Sequence, residues 1–327
     1  MTNDWKGRAV LVTGGLGFIG SNLALRLADL EARVTVIDAL IPAHGGNRFN
    51  LAPAQDRVRM IIGDLRDRDL IGSAVKDQEV IFNLAGQVSH ADSMEDPFTD
   101  LEINCRSQLS LLEACRAHNR DGKLIFAGTR GEYGKVQRLP VDETHPLRPT
   151  DINGIDKTAG EAYHLLYHQV HGIRACSLRL TNTYGARHQM KTPRNGIVNW
   201  FIRLALENAA ITIYGDGSQM RDCNYVDDVV EAFLLAAGPA TDGQVYNLGG
   251  GDSRPLIELA RMIVAAAGGG RIEPVEFPAG SKAIEIGSYQ ADFTKFQSAT
   301  GWSPRVKLRD GFQRTIDYYR EHRSHYF

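Results

Sequence analysis

The segment VLVTGGLGFIGSNLALRL, Val10 to Leu27, decides the fold. It opens as a short run of aliphatic and β-branched residues, the mark of a buried strand. It closes as an amphipathic helix, in which Ile19, Leu23, Leu27 and then Leu30 recur on one stripe. Between the two, Gly14, Gly17 and Gly20 fall in the spacing G-x-x-G-x-x-G. Glycines at such a junction let the chain turn tightly and let its backbone approach a ligand. The helix that follows points unpaired N–H groups at whatever sits there. A glycine pattern alone is common, but with a strand before it and a helix after it the reading is a cradle for a dinucleotide pyrophosphate. Gly14, Gly17, Phe18, Ile19 and Gly20 are the residues expected to form it.

Outward from this junction, apolar runs alternate with helical patterns. Strands are expected at Arg8–Thr13, Arg33–Asp38, Val58–Gly63, Val80–Leu84, Lys123–Gly128 and Ala175–Thr181. A second long helix carries Leu101, Cys105, Leu112 and Cys115, and a third carries Ile155, Ala159, Ala162 and Leu166. Periodicity alone makes both of them core helices. Right-handed crossovers would stack the helices on both faces of a parallel sheet. The fold class is therefore α/β, a Rossmann-type doubly wound parallel sheet with a smaller C-terminal substrate-binding lobe. Residues 1–181 make the dinucleotide-binding domain and 182–327 the lobe, where loops such as TYGARHQMKTPRNG lengthen. A late strand at Val245–Gly249 is expected to return to the sheet.

Bulk properties narrow the function. The 327 residues carry a net charge of −2, so no basic field draws in nucleic acid or an anionic membrane. An anionic substrate must be caught by a few placed groups. No run of 18 apolar residues and no charged leader before an apolar stretch is visible, so neither a membrane span nor a signal peptide is expected. The four cysteines lack a C-x-x-C pair and sit in apolar stretches, which fits buried thiols in the reducing cytoplasm. His322 and His325 are too sparse for a metal site, and none is expected.

Two carboxylates follow the cradle. Asp38 ends the second strand, 18 residues beyond Gly20, where it can accept bonds from both ribose hydroxyls and would repel a 2′-phosphate. No arginine follows it directly, and Arg48 lies too far along a loop to place, so the expected cofactor is NAD. Asp64, after the third strand, either accepts from the adenine amine or caps its own loop.

These features, together with GDLRD, NLAGQ, FAGTRGEYG, GIDKTAGE, LRLTNTYG, IYGDGSQMRD and ADFTKFQSATGWSP, resemble the extended short-chain dehydrogenase/reductase family in its nucleotide-sugar epimerase and dehydratase branch. The resemblance runs nearly end to end. It implies that Leu65, Leu84, Ala85 and Gly86 line the cofactor, that Thr129 holds the reacting oxygen, and that Lys157 holds the nicotinamide ribose. It also implies hydride exchange between NAD and a sugar carbon while a base takes the hydroxyl proton. Asn182 and Arg221 match positions that hold the substrate diphosphate, and Arg187, which follows Asn182 closely, is expected to assist. For Arg221, a salt bridge to Asp222 or Asp227 is the plainer reading.

One position departs from the pattern. Four residues before Lys157, where the family carries tyrosine, this chain has Asn153. An amide exchanges hydrogen bonds but has no proton to give up near neutral pH. Three replacements are open: Lys157, directly or through a water held by Thr129 and Asn153; His90, whose imidazole titrates in the right range unless it is only a loop residue; or Tyr133 or Glu132 turning in, although Tyr133 matches a packing position and Glu132 reads as a solvated loop charge. A chain that binds NAD and a nucleotide but turns over slowly or not at all is the remaining alternative.

The loop after Thr129 bears on the reaction. In the family's 4,6-dehydratases an Asp-Glu pair follows the threonine, and its decarboxylases carry a glutamate in the same loop. Here the residues are Arg130 and Gly131, which favours epimerisation. Arg130 is either a bidentate clamp for a carboxylate or phosphate on the sugar, or half of a surface ion pair. Lys282 stands where relatives place an arginine near the nucleobase. Resemblance further implies a homodimer paired through the second and third long helices.

Overall fold

The structure is a computed structural model and describes residues 4–41, 44–277 and 285–327; Lys282 lies outside them. Strands β1 (Ala9–Thr13), β2 (Arg33–Asp38), β3 (Val58–Ile62), β4 (Val80–Asn83), β5 (Lys123–Thr129) and β6 (Ala175–Leu180) match the sequence expectation to within a residue or two. With a later strand, β11 (Val245–Asn247), they form one seven-stranded sheet in the order β11-β6-β5-β4-β1-β2-β3, and every pairing in it is parallel. The order reverses between β1 and β4, and the carboxyl ends of the strands open a crevice there, the usual ligand position in such sheets.

Both sheet faces are apolar, as burial on two sides requires. Val10, Val12, Val36, Phe82 and Leu178 face one way, against α1 (Phe18–Asp29) and α8 (Val226–Ala236). Leu11, Ile37, Ile81 and Leu124 face the other, against α2 (Arg68–Ala74) and α5 (Ser107–His118). The chain beyond residue 181 contributes α8 and β11 to this layered core. It also carries α7 (Ile197–Leu206), α9 (Leu256–Ala267), α11 (Leu308–Glu321) and, among the described residues, three two-stranded ladders. The ladders pair β7 (Asn182–Tyr184) with β10 (Cys223–Tyr225), β9 (Met220–Arg221) with β12 (Arg254–Pro255), and β8 (Ala210–Tyr214) with β13 (Arg271–Val275). All four cysteines are free and buried. Among the described residues no helix is long and apolar enough to cross a membrane.

Two helices differ from their periodicity reading. The second is α4 (Pro97–Leu101), a π-helical turn at Glu102–Arg106, and then α5, with the short α3 (His90–Glu95) just before it. The third, α6 (Ile152–His171), turns its apolar stripe outward, leaving Ile155 49% and Leu166 50% exposed. The face it buries carries Asn153, Asp156, Lys157, Gly160, Glu161 and His164. Apolar spacing marks which residues share a face, but it cannot tell a core from an uncovered surface. Phe98 and Leu101 on α4, which packs beside α6, are 77% and 43% exposed and extend the strip.

The sheet core has little slack. Phe82 is fully buried between Trp5 and Phe233, at ring-centroid distances of 6.0 and 6.2 Å. Phe82→Ala should cost about 3–5 kcal/mol, read from urea unfolding followed by circular dichroism.

Candidate active site

The cradle takes the geometry its glycines allow. Gly14 has φ +67°, and a Cβ on it would meet Ala85 Cα at 2.9 Å; a Cβ on Gly20 would collide with the Gly14 carbonyl oxygen. The turn thus leaves no room for a side chain at Gly14 or Gly20, and the first residues of α1 follow Gly17 with no side-chain cap on their N–H groups. Asp38 closes the same turn. Its Oδ2 accepts from Leu16 N at 2.9 Å and its Oδ1 from Leu40 N at 2.8 Å. Burial raises its carboxyl, and these backbone N–H groups act against that rise. A carboxylate oxygen has more than one acceptor position, so each can still take a ribose hydroxyl.

One cleft of about 500 Å³ runs over the carboxyl ends of the sheet. Gly14, Gly17, Phe18, Ile19, Gly20, Asp38, Asp64, Leu65, Leu84, Ala85 and Gly86 all line it. So do His90, Thr129, Arg130, Asn153, Lys157, Asn182 and Arg221. Asp64 is clamped there by Arg66, with Oδ1 accepting from its Nε at 2.9 Å and Oδ2 from its Nη2 at 2.6 Å, and this hydrogen-bonded pair lowers its carboxyl.

Other expectations are corrected. Arg187 is absent from the cleft lining. At φ +71° its backbone turns the side chain back, so that Nη1 donates to Asn22 at 2.9 Å and the guanidinium lies over Tyr318. Arg221 pairs with neither Asp222 nor Asp227 but with Glu285, at 2.8 Å, and also donates to the Gly287 carbonyl. Glu132 and Tyr133 cannot turn in. Glu132 is fully buried, accepting from Thr129 N at 2.8 Å and pairing with Arg179 at 3.2 Å. Tyr133, also fully buried, donates to Asn247 Oδ1 at 2.7 Å and accepts from Arg179. Arg179 is shared with Glu161, and burial followed by the Glu161 charge pushes Glu132 upward.

Asn153 and Lys157 sit one turn apart on α6 and enter the cleft differently. Asn153 is locked: its amide nitrogen donates to the Gln87 carbonyl at 2.8 Å and faces Asp100 Oδ2 at 3.3 Å. Lys157 makes no hydrogen bond among the described residues, and its Nζ lies 4.5 Å over the Phe126 ring. Burial lowers it to about 8, against the pull of Glu132, Asp100 and Glu161. Beneath it, burial and the adjoining Asp100 carboxyl raise Asp156.

A pair outside the sequence reading completes the site. Asp151, the N-cap of α6, accepts from Gly154 N at 2.7 Å through Oδ1 and from His90 Nδ1 at 2.7 Å through Oδ2. Burial alone would raise this carboxyl, but the His90 ring and the Gly154 N–H outweigh it, and the net shift is downward. An ionised Asp151 fixes the proton of a neutral His90 on Nδ1, which leaves Nε2 as an acceptor with no hydrogen bond to any described residue. Asp151 is readable as an N-cap ahead of a helical pattern, but its contact with His90 spans 61 residues and no local signal announces it.

With this geometry in place, the comparisons are direct. The profile of the NAD dependent epimerase/dehydratase family matches residues 10–249, and the chain belongs to that family. It is 33% identical to the UDP-glucose 4-epimerase of Mycolicibacterium smegmatis over 95% of this chain and 98% of that one. It is 30% identical to the dTDP-glucose 4,6-dehydratase of Streptomyces niveus over 96% of this chain and 94% of that one. The crystal structure of Thermus thermophilus UDP-glucose 4-epimerase in complex with NAD superposes with a TM-score of 0.85 at 33% identity, covering 95% of this chain and 99% of that one. NAD is the cofactor, and the glycine turn and Asp38 fit it. Asp38→Ala should weaken NAD binding about 10- to 100-fold while weakening NADP far less, because the lost carboxylate both held the ribose diol and repelled a 2′-phosphate; fluorescence titration with both dinucleotides measures the ratio.

Proposed function

We propose that this protein is an NAD-dependent epimerase of a nucleotide-diphosphate sugar. The single observation that carries the reading is one cleft holding the dinucleotide cradle, Thr129, Lys157 and His90, the last backed by Asp151, with no carboxylate at positions 130 and 131. A dehydratase needs an acid for the departing hydroxyl and a base for the ring proton, and Arg130 and Gly131 supply neither. Similarity to both UDP-glucose 4-epimerase and dTDP-glucose 4,6-dehydratase supports the broader class; the loop chemistry chooses within it.

NAD supplies reversible hydride acceptance and return at the sugar carbon. The protein's residues do the rest. Lys157 places a positive charge beside the cofactor ribose and the developing anion, the more strongly for being buried. Thr129 hydrogen-bonds the reacting oxygen. His90 takes the hydroxyl proton on Nε2 as the carbon gives up its hydride, so a ketone forms, and it returns that proton when hydride comes back to the other face. The balance is one proton and one hydride removed and restored, with only a stereocentre changed. Asp151 orients the ring and stabilises the imidazolium. Asn153 takes the place of the family's tyrosine without its proton chemistry, holding the Gln87 loop to α6. Lys157 is the second reading for the base, favoured by its lowered titration.

The activity test is a panel of nucleotide sugars incubated with the NAD-loaded protein and followed by NMR. One sugar should interconvert with its epimer. His90→Gln should lower kcat by about 10²- to 10⁴-fold. Asp151→Asn should also lower kcat while keeping its helix cap, because asparagine caps as well as aspartate. Asn153→Tyr should not raise turnover. Full activity in His90→Gln would transfer the base role to Lys157; conversion of no sugar would reject the enzyme reading.

We also propose a homodimer through the strip that α4 and α6 leave uncovered. Phe98, Leu101, Ile155 and Leu166 form an apolar surface of the kind that marks protein contacts. Ile155→Glu combined with Phe98→Glu should convert a dimer to a monomer in sedimentation equilibrium, with NAD binding retained.

A further inference from the structure

Arg130 is a cation with no counterion among the described residues. It opens the 3-10 turn Arg130–Tyr133, directly after Thr129 at the carboxyl end of β5, and lines the cleft. Its Nη2 donates to Asn182 Oδ1 at 3.2 Å, while its Nη1 is enclosed and has no hydrogen-bond partner. The guanidinium lies 5.6 Å from the ring centroid of Tyr289, whose hydroxyl is likewise enclosed and unpaired. Each nearby carboxylate among the described residues is occupied elsewhere. Glu285 pairs with Arg221, Asp222 accepts from the Gly250 and Ala291 N–H groups, and Asp151 holds His90. Among the described residues Arg130 forms no ion pair. Burial, and then the neighbouring Arg221, bring it down to about 10, which still leaves it charged at neutral pH.

A guanidinium has donors only, so an enclosed N–H without a partner can be satisfied only by an acceptor, and leaving it unsatisfied is costly. The matching group is a planar anion able to take two N–H bonds. Its position is fixed by the chain: one peptide bond separates Arg130 from Thr129, which the proposed function puts at the reacting oxygen, and Gly131 packs against the His90 ring. Arg221, by contrast, stands on β9 and is already engaged by Glu285 and the Gly287 carbonyl. The Arg130 guanidinium also touches Asn182 and lies near Arg221, so its assignment to an anion on the sugar rests on its link to Thr129 and on Arg221 being engaged already. Resting on the epimerase reading, we propose that the substrate is a nucleotide-activated sugar acid, a hexuronate whose carboxylate is bound by Arg130. The absence of acidic side chains at positions 130 and 131 fits this assignment, since either would repel such a substrate.

The test is calorimetric binding to the NAD-loaded protein, which needs no turnover. The probes are UDP, UDP-glucose and UDP-glucuronate, with the dTDP set in parallel. The wild-type protein should bind the glucuronate about 10- to 100-fold more tightly than the glucose compound. Arg130→Met should abolish that preference while changing the affinity for the nucleoside diphosphate less than about 3-fold. Arg130→Lys should keep part of the preference, and NAD titration verifies that both variants are folded. Equal binding of the two sugars by the wild-type protein would overturn the assignment. So would an Arg130→Met variant that loses UDP itself to the same degree, since Arg130 would then be a diphosphate clamp. If NAD binds normally and no sugar nucleotide or diphosphate binds, the epimerase reading falls with it.

Discussion

The structure depends on one close approach, that of α1 to the turn leaving β1. Gly20 sits against the Gly14 carbonyl and Gly14 against Ala85, with no room for a Cβ at either position. This contact fixes the direction of α1, brings its free N–H groups to the crevice where the strand order reverses, and sets Asp38 at the edge of the same turn. A pyrophosphate seated there determines where the rest of the dinucleotide runs, and so which strand ends meet the reactive ring.

Several charged side chains are buried behind the cleft. Arg179 is shared by Glu132 and Glu161, and Lys157, Asp100 and Asp156 lie in the same region. Buried ions stabilise little in themselves, because desolvation offsets their attraction. Here they hold β5, β6 and α6 in a fixed relation. Glu132 also caps the turn that carries Thr129 and Arg130. The two residues proposed to touch the sugar are thereby anchored to the core and not left on a free loop.

Asn153 has a structural place in the cleft. Its amide ties Gln87 to α6, a structural task that needs no proton chemistry. A few residues away the same helix begins at Asp151, which reaches across to His90. One carboxylate thus serves both to start the helix and to hold the imidazole proposed above as the general base.

The sequence by itself determined the cradle, the strands to within a residue or two and the return of a late strand, because these are set by local spacing: glycines at a turn, apolar runs, a carboxylate at a strand end; the further cleft residues named from the sequence, Thr129 and Lys157 among them, came from family resemblance. Tertiary structure alone decided four things. The stripe of Ile155, Ala162 and Leu166 faces outward, and helical periodicity is the same whether a face meets a core or a partner. Glu132 is buried, because its counterion Arg179 lies 47 residues away. Arg187 leaves the cleft, because a left-handed backbone angle that its residue type rarely adopts turns it aside. Arg130 has no ion-pair partner among the described residues, because whether an arginine meets a counterion depends on strands and loops brought together only by folding. Local spacing can propose which residues carry chemistry, but the company each one keeps is a long-range property of the chain.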